Sequence, residues 1–447
     1  MSLQLRALIR ERTFVRSVLL PSALIGAVGL LAWSAAATAA VVPLTFGAAL
    51  HYAIERSRQL SGEDSAVIAA RELAVAAGQL PDPVLKFGLD SWPVNGPHQF
   101  SVGDDDFTEG RVSLSQEWTR AEKRQLRTQR FEREGEKTLA EKTVAIAAIE
   151  RDTAIAWLDR YYAEAMAAVI AEQRQAVELE IAMADSAYRG GSGEQADVIA
   201  ARSARAELAD SASEIEGRGR AAKATLARWV GDAALLPLAG KPALDAVRLD
   251  RRTLETELAH HPEITVLAKQ EALAETEAKL AVANKQADWS VELAYAQRGS
   301  AFSNFASVSV SIPLQWDQGQ RQDREVAAKL ALAEQATAER EEAVRMHVGA
   351  VQAELQAWEN GRERLARYAR ELIPLANART AATLAAYRGG TANASELSRA
   401  RRDEIDVRLR ALQLERDTAR LWAQLNFLFP EESAHPGAPV TVSEDSK

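Results

Sequence analysis

The stretch "YRGGSGEQADVIAAR", Tyr188 to Arg202, sets two adjacent glycines against a long helical sequence. Back to about Trp118 the chain reads as one uninterrupted helix. No proline occurs between Pro97 and Pro237, and Ala, Glu, Arg and Leu, all strong helix formers, dominate. Two glycines inside a helix cost roughly 2 kcal/mol relative to alanine, so the pair marks a turn. A second stretch, "YRGGTANASELSRAR" (Tyr387 to Arg401), lies 199 residues later and repeats the pattern. A helix from Trp118 to Tyr188 rises ~1.5 Å per residue and reaches roughly 100 Å. Propensity alone does not hold so long an isolated helix, and the glycines let each one fold back on a partner as a helical hairpin.

The repeat extends outward from the glycines. "RVSLSQEWTRAEKRQLR" (Arg111 to Arg127) precedes the first turn and "SVSIPLQWDQGQRQDR" (Ser309 to Arg324) the second, with Trp118 and Trp316 198 residues apart. Upstream of each lies another extended stretch, "PVLKFGLDSW" (Pro83 to Trp92) and "WSVELAYAQ" (Trp289 to Gln297). Each half therefore reads strand, loop, strand, long helix, Gly-Gly turn, long helix. The expected first repeat spans 40–230, with strands at about 83–92 and 110–117 and a turn at 189–193. The second spans 256–429, with strands at about 289–297 and 305–315 and a turn at 388–392. Residues 231–255 form a connector, and 430–447 a flexible tail. Pro374 interrupts the second hairpin's first helix 13 residues before Tyr387 and predicts a bend there, because proline loses a backbone hydrogen bond and crowds the preceding turn.

All four strands alternate. Leu85, Phe87 and Leu89 oppose Lys86, Gly88 and Asp90, and Val112 and Leu114 oppose Arg111, Ser113 and Ser115. Val291, Leu293 and Tyr295 oppose Glu292, Ala294 and Ala296, while Val308, Val310, Ile312 and Leu314 oppose Ser307, Ser309, Ser311 and Pro313. Such alternation fits a half-buried sheet or a membrane barrel with a wet lumen. Membrane barrels need about eight strands or more, so four close one only by pooling subunits.

The N-terminal residues predict export. Arg6, Arg10, Arg12 and Arg16 precede an apolar run, Val18 to Trp33, and "SAAATAA" then offers small residues for cleavage after Ala39 or Ala40, the order of a signal peptide over 1–39. A membrane anchor is the competing reading, disfavoured by Pro21, Gly26 and Gly29 inside the run. No other stretch has ~18 consecutive apolar residues. The chain has no cysteine, which excludes disulfides, thiolate metal sites and lipid acylation of a cysteine. Formal charge is -9, and residues 1–39 hold four arginines and Glu11, leaving -12 beyond them. An acidic exported chain is a poor nucleic-acid binder. No nucleophile–base pair, phosphate loop or paired-carboxylate motif is present, so no enzymatic activity and no cofactor are expected.

Taken in order, "AAGQLPDPVLKFG", "LSQEWTRAEKRQLR", "HHPEITVLAKQEALAETEAKLA", "SVSIPLQWDQGQR" and both Tyr-Arg-Gly-Gly turns resemble the TolC-type outer-membrane efflux channel family, most of all its heavy-metal, CzcC-like branch. The resemblance covers nearly all of the chain beyond the signal. It implies a mainly α fold with a small β part, a tandem strand-strand-helix-helix protomer. The protomer would assemble as a homotrimer with a 12-stranded outer-membrane β-barrel and a long α-helical periplasmic barrel. It also implies an outer-membrane location in contact with lipid, and partners in a periplasmic membrane-fusion adaptor and an inner-membrane RND-type pump. The channel itself would be a passive duct for heavy-metal cations. Drug or organic-compound efflux and type I secretion are alternatives within the class. A periplasmic adaptor, which has one hairpin rather than two, and an exported coiled-coil scaffold, which leaves the strands unexplained, are alternatives outside it.

The resemblance places the adaptor-docking tip at Tyr188, Gly190, Gly191, Tyr387, Gly389 and Gly390. The family's turn pattern puts an acidic residue at Asp197 and at Glu396, the periplasmic gate candidates. Arg399 and Ala392 stand where some relatives carry a second acidic residue and an arginine, so a double acidic ring is not carried over. His260 and His261 sit in "AHHPE", where the proline starts a helix. Six scattered histidines without a cysteine offer no cluster of ligands, so the pair is read as structural and no metal site is expected. Trp92, Trp118, Trp289 and Trp316 lie at strand ends, where an interfacial aromatic belt or ordinary packing would place them.

Overall fold

The computed structural model describes residues 42–249 and 254–431. The expected signal segment, residues 250–253 of the expected connector and all but the start of the expected tail lie outside the described residues. Helices α1 (Phe46–Arg56) and α2 (Arg58–Ala77) come first, capped by Thr45 and Ser57. Strands β1 (Val84–Asp90) and β2 (Glu109–Trp118) follow, then the hairpin of α3 (Ala121–Arg189) and α4 (Gln195–Val230). After the connector come α5 (Leu254–Leu258) and α6 (Pro262–Ala283), strands β3 (Trp289–Gln297) and β4 (Phe305–Ser311), and a second hairpin of α7 (Gln322–Arg367), α8 (Ile373–Arg388) and α9 (Ala394–Asn426). Each half also has a helix leading into its strands, α2 in the first and, at the proline expected to start a helix, α6 in the second. The fourth strand stops at Ser311, short of the apolar residues Ile312 and Leu314. Pro313 has no N–H to give a ladder there.

The four strands form one antiparallel sheet in the order β1-β2-β3-β4, leaving β1 and β4 as its edges. Register aligns the alternating residues across all four strands: Leu85 opposite Leu114, Leu114 opposite Leu293, Leu293 opposite Val308. At the helical end of the sheet, the Asp288 carboxylate accepts from the Arg120 N–H at 3.0 Å and from Lys123 Nζ at 2.8 Å. That pairing ties the start of α3 to the start of β3.

The main apolar core gathers around the middle of α3. Trp157, Leu158, Tyr162 and Met166 pack with Leu44, Leu226, Val351, Trp422 and Phe427. Arg160 is buried there with its guanidinium donating to the Ala234 and Leu236 carbonyls at 2.8 and 2.9 Å. Trp422 Nε1 donates to the Ala246 carbonyl at 2.8 Å. These bonds hold the connector, which opens with a 3-10 helix at Gly231–Leu235, against the middle of the helices, and the carbonyls they reach are satisfied by side chains.

In the second hairpin a widened turn, Tyr368–Leu372, joins α7 to α8, and the Ile373 N–H reaches back five residues to the Tyr368 carbonyl. Pro374 follows directly. The sequence predicts a bend at this proline. The structure shows one extra residue in the turn before it, which moves the i−4 carbonyl out of the ring's way. Its counterpart α3 runs from Ala121 to Arg189 as one α-helix.

Candidate functional site

Two regions carry the sequence-predicted sites, the hairpin tips and the sheet. At the first tip, Gly190 closes α3 in the right-handed region (φ -76°, ψ -3°) and Gly191 turns the chain at φ 74°. The Ser192 N–H donates to the Ala187 carbonyl at 3.0 Å and the Gly191 N–H to the Tyr188 carbonyl at 3.1 Å. This is a Schellman cap, whose left-handed residue is cheap only for glycine. The second tip repeats it: Gly389 is right-handed, Gly390 has φ 73°, and the Thr391 and Gly390 N–H groups donate to Ala386 and Tyr387. One glycine of each pair is therefore required by backbone geometry.

The two gate candidates have a local task that the sequence reading missed. Glu396 is the third residue of α9, where its carboxylate accepts from the Asn393 N–H at 3.1 Å while Asn393 Oδ1 accepts from the Glu396 N–H at 2.8 Å. Glu194 and Asp197 form the same reciprocal box at the start of α4. A capping box satisfies two otherwise unpaired donors, and its signal, a polar cap followed three residues later by an acid, was readable in "NASE". Glu396 remains exposed and Asp197 half-buried.

The tyrosines differ. Tyr387 packs against Ala184, Val198, Ala201 and Ala394, so the second tip rests on the first hairpin. Burial, with Asp197 and Glu180 nearby, pushes its hydroxyl above the ordinary tyrosine value. Tyr188, at the equivalent place, is 46% exposed. Farther from the tips, Arg401 of α9 pairs with Glu180 of α3 at 2.8 Å and with Gln173 at 3.3 Å, fastening the two hairpins together.

The sheet has one apolar face turned outward. Leu85, Phe87, Val112, Leu114, Leu293, Tyr295, Val308 and Val310 are all exposed, Phe87 by 74% and Val308 by 70%. On the other face Ser113, Ala294 and Ala296 are buried, and Lys86 and Arg111 each reach Glu292 at 3.2 Å. Trp118 and Trp289 stack at 5.0 Å at one end of the sheet, and Trp92 meets Phe100 at the other. Among the described residues no helix is long and apolar enough to cross a membrane.

His261 caps α6, its Nδ1 accepting from the Glu263 N–H at 3.3 Å. The premise that the histidines are scattered fails for one pair. The fold brings His347 of α7 against it, ring centroids 4.0 Å apart.

No family model matches the chain, and no curated protein matches it by sequence. Solved structures do. The outer-membrane channel OprN is similar over 86% of this chain and 90% of its own, at 17% identity and a TM-score of 0.72. CusC, whose structures concern transmembrane channel formation, is similar over 87% and 92%, at 15% identity and a TM-score of 0.73. The CmeC outer-membrane channel of Campylobacter jejuni is similar over 86% and 85%, at 11% identity and a TM-score of 0.71. The fold is TolC-like. In this fold the apolar strand face and the glycine tips lie at separate places on the chain, joined by the long helices.

Proposed function

We propose that the chain is the outer-membrane channel subunit of a tripartite efflux system, a passive duct and not an enzyme. The observation that carries this reading is the four-stranded sheet with an exposed apolar face and two unpaired edges. In water that face would be a large sticky patch, and in lipid the bare edges would leave backbone groups unsatisfied. Both problems vanish if copies join β4 of one to β1 of the next, since three sheets make a closed 12-stranded barrel with its apolar face to lipid. The long hairpins would then continue the barrel into the periplasm, and the glycine tips would dock a membrane-fusion adaptor that links the channel to an RND-type pump.

Likeness to OprN, CusC and CmeC supports the channel class through the fold. Heavy-metal cations as cargo rest on the sequence resemblance to the CzcC-like branch. The mass of the purified full chain in detergent tests the assembly: a trimer is expected, and a monodisperse monomer that still forms pores in planar bilayers would overturn it. Deleting the gene and measuring tolerance tests the cargo. Lost tolerance to zinc, cobalt, cadmium, copper or silver ions is expected, and loss confined to organic compounds would replace the metal reading.

A further inference from the structure

We propose that His261, Glu263 and His347 form a binding site for one divalent transition-metal ion, of the borderline kind that imidazole favours. The three residues come from the N-terminus of α6 and the middle of α7, and one ligand atom from each lies within 4.8 Å of the others. Ligands around a tetrahedral ion with metal–nitrogen bonds of ~2.0 Å stand about 3.3 Å apart. Side-chain rotations that close the set by about 1.5 Å would therefore complete it. Two histidines and one carboxylate are a common ligand set for zinc, with a water in the fourth position.

The surroundings suit a cation. A cavity of about 280 Å³ opens on the cluster, large enough for the ion and its waters, and Arg151, Glu263 and Glu354 are its charged lining. Two carboxylates against one guanidinium leave a net negative wall.

The nitrogens are also arranged for it. His347 Nε2 is buried and has no hydrogen-bond partner, an uncommon state for a buried polar atom. On His261 the Nδ1 accepts a long bond from the Glu263 N–H, which an incoming ion would replace. The site is a property of the folded chain and does not depend on which cargo the duct carries.

The test is metal binding to the purified full chain in detergent, by equilibrium dialysis with Zn²⁺ and by the visible spectrum with Co²⁺. One ion per chain is expected, with the intense bands of a low-coordinate cobalt site. His347→Gln, similar in volume, and Glu263→Gln should each weaken Kd at least tenfold while elution profile and helix content stay as in the parent. His98→Gln, at an exposed loop histidine, should change nothing. Metal should raise the unfolding temperature of the parent but not of the two variants. Absence of stoichiometric Zn²⁺ binding at tens of micromolar would overturn the proposal. So would binding that both His347→Gln and Glu263→Gln retain in full.

Discussion

Replacing the left-handed glycines isolates backbone geometry at the tips, because a Cβ built on Gly191 or on Gly390 meets no atom within 4 Å. The cost of a side chain there comes from φ alone, 74° and 73°. An L-residue in that region costs about 1–2 kcal/mol, with a β-branched one at the upper end and asparagine well below it. Gly191→Val should therefore loosen the Schellman bonds by about 2 kcal/mol and Gly191→Asn by a fraction of that. Gly190→Ala gives the comparison at a right-handed position, where the added Cβ stands 3.3 Å from the Ser186 carbonyl oxygen. Hydrogen exchange reads the effect directly at the Ser192 and Gly193 amides, both of which donate to the Ala187 carbonyl. A cost of 1–2 kcal/mol corresponds to roughly 5- to 30-fold faster local opening. Trimer yield should not change, because the apolar core lies near the middle of α3. If these tips dock the adaptor, Gly191→Val and Gly390→Val should also lose adaptor cross-linking. Exchange in Gly191→Val no faster than in Gly190→Ala would refute the geometric argument, and normal cross-linking despite a loosened tip would refute the docking role.

Two further tests address the contacts between helices. Arg401→Leu removes the partner of Glu180, whose side chain is only 6% exposed, and an uncompensated buried charge costs about 3–5 kcal/mol. The double variant Arg401→Leu/Glu180→Leu should recover much of that loss in thermal unfolding, and a double variant no more stable than the single would refute the ion-pair account. Acid provides the second test. A hydrogen bond from Lys269 lowers Glu136, and hydrogen bonds from Thr337 and Arg340 lower Glu271, below their ordinary value of 4.5. A carboxylate lowered in the fold contributes stability that is complete above its unfolded value and is lost as pH falls toward the folded one. Melting temperature should hold from pH 7 to about 5 and then fall below 4.5, less steeply in Glu136→Gln/Glu271→Gln. An equal slope in the double variant would contradict this.

Sequence carried the repeat, the strands and the turns because each has a short-range signature. Period-two alternation marks strands, and a Gly-Gly pair in an alanine-rich helix marks a reversal. The same kind of signal was available for the capping boxes, yet Asp197 and Glu396 were read only through the family pattern, as gates. Their carboxylates already serve the backbone, so a gate role would have to coexist with a cap. The His261–His347 contact had no such signature. Eighty-six residues separate the two rings, and nothing in either segment tells that the start of α6 lies beside the middle of α7. Pro374 lies between these cases: its chemistry foretold a disturbance, but only the coordinates show that a widened turn absorbs it.

The unequal burial of the two tyrosines bears on the proposed assembly. Identical Tyr-Arg-Gly-Gly sequences at equivalent turns should have equivalent surroundings, and within one chain they do not. Tyr387 has the first hairpin beside it, whereas Tyr188 is 46% exposed. The sheet is incomplete in the same sense, with β2 and β3 paired on both sides and β1 and β4 on one. A closed ring of proposed trimers' hairpins would place the second hairpin of one copy against the first of the next. That arrangement gives Tyr188 the kind of contact Tyr387 already has, while the same rotation gives β1 a partner in β4. One symmetry operation thus supplies the neighbours missing at both ends of the chain. The sheet edges alone call only for some partner, and the repeat specifies which surface that partner presents.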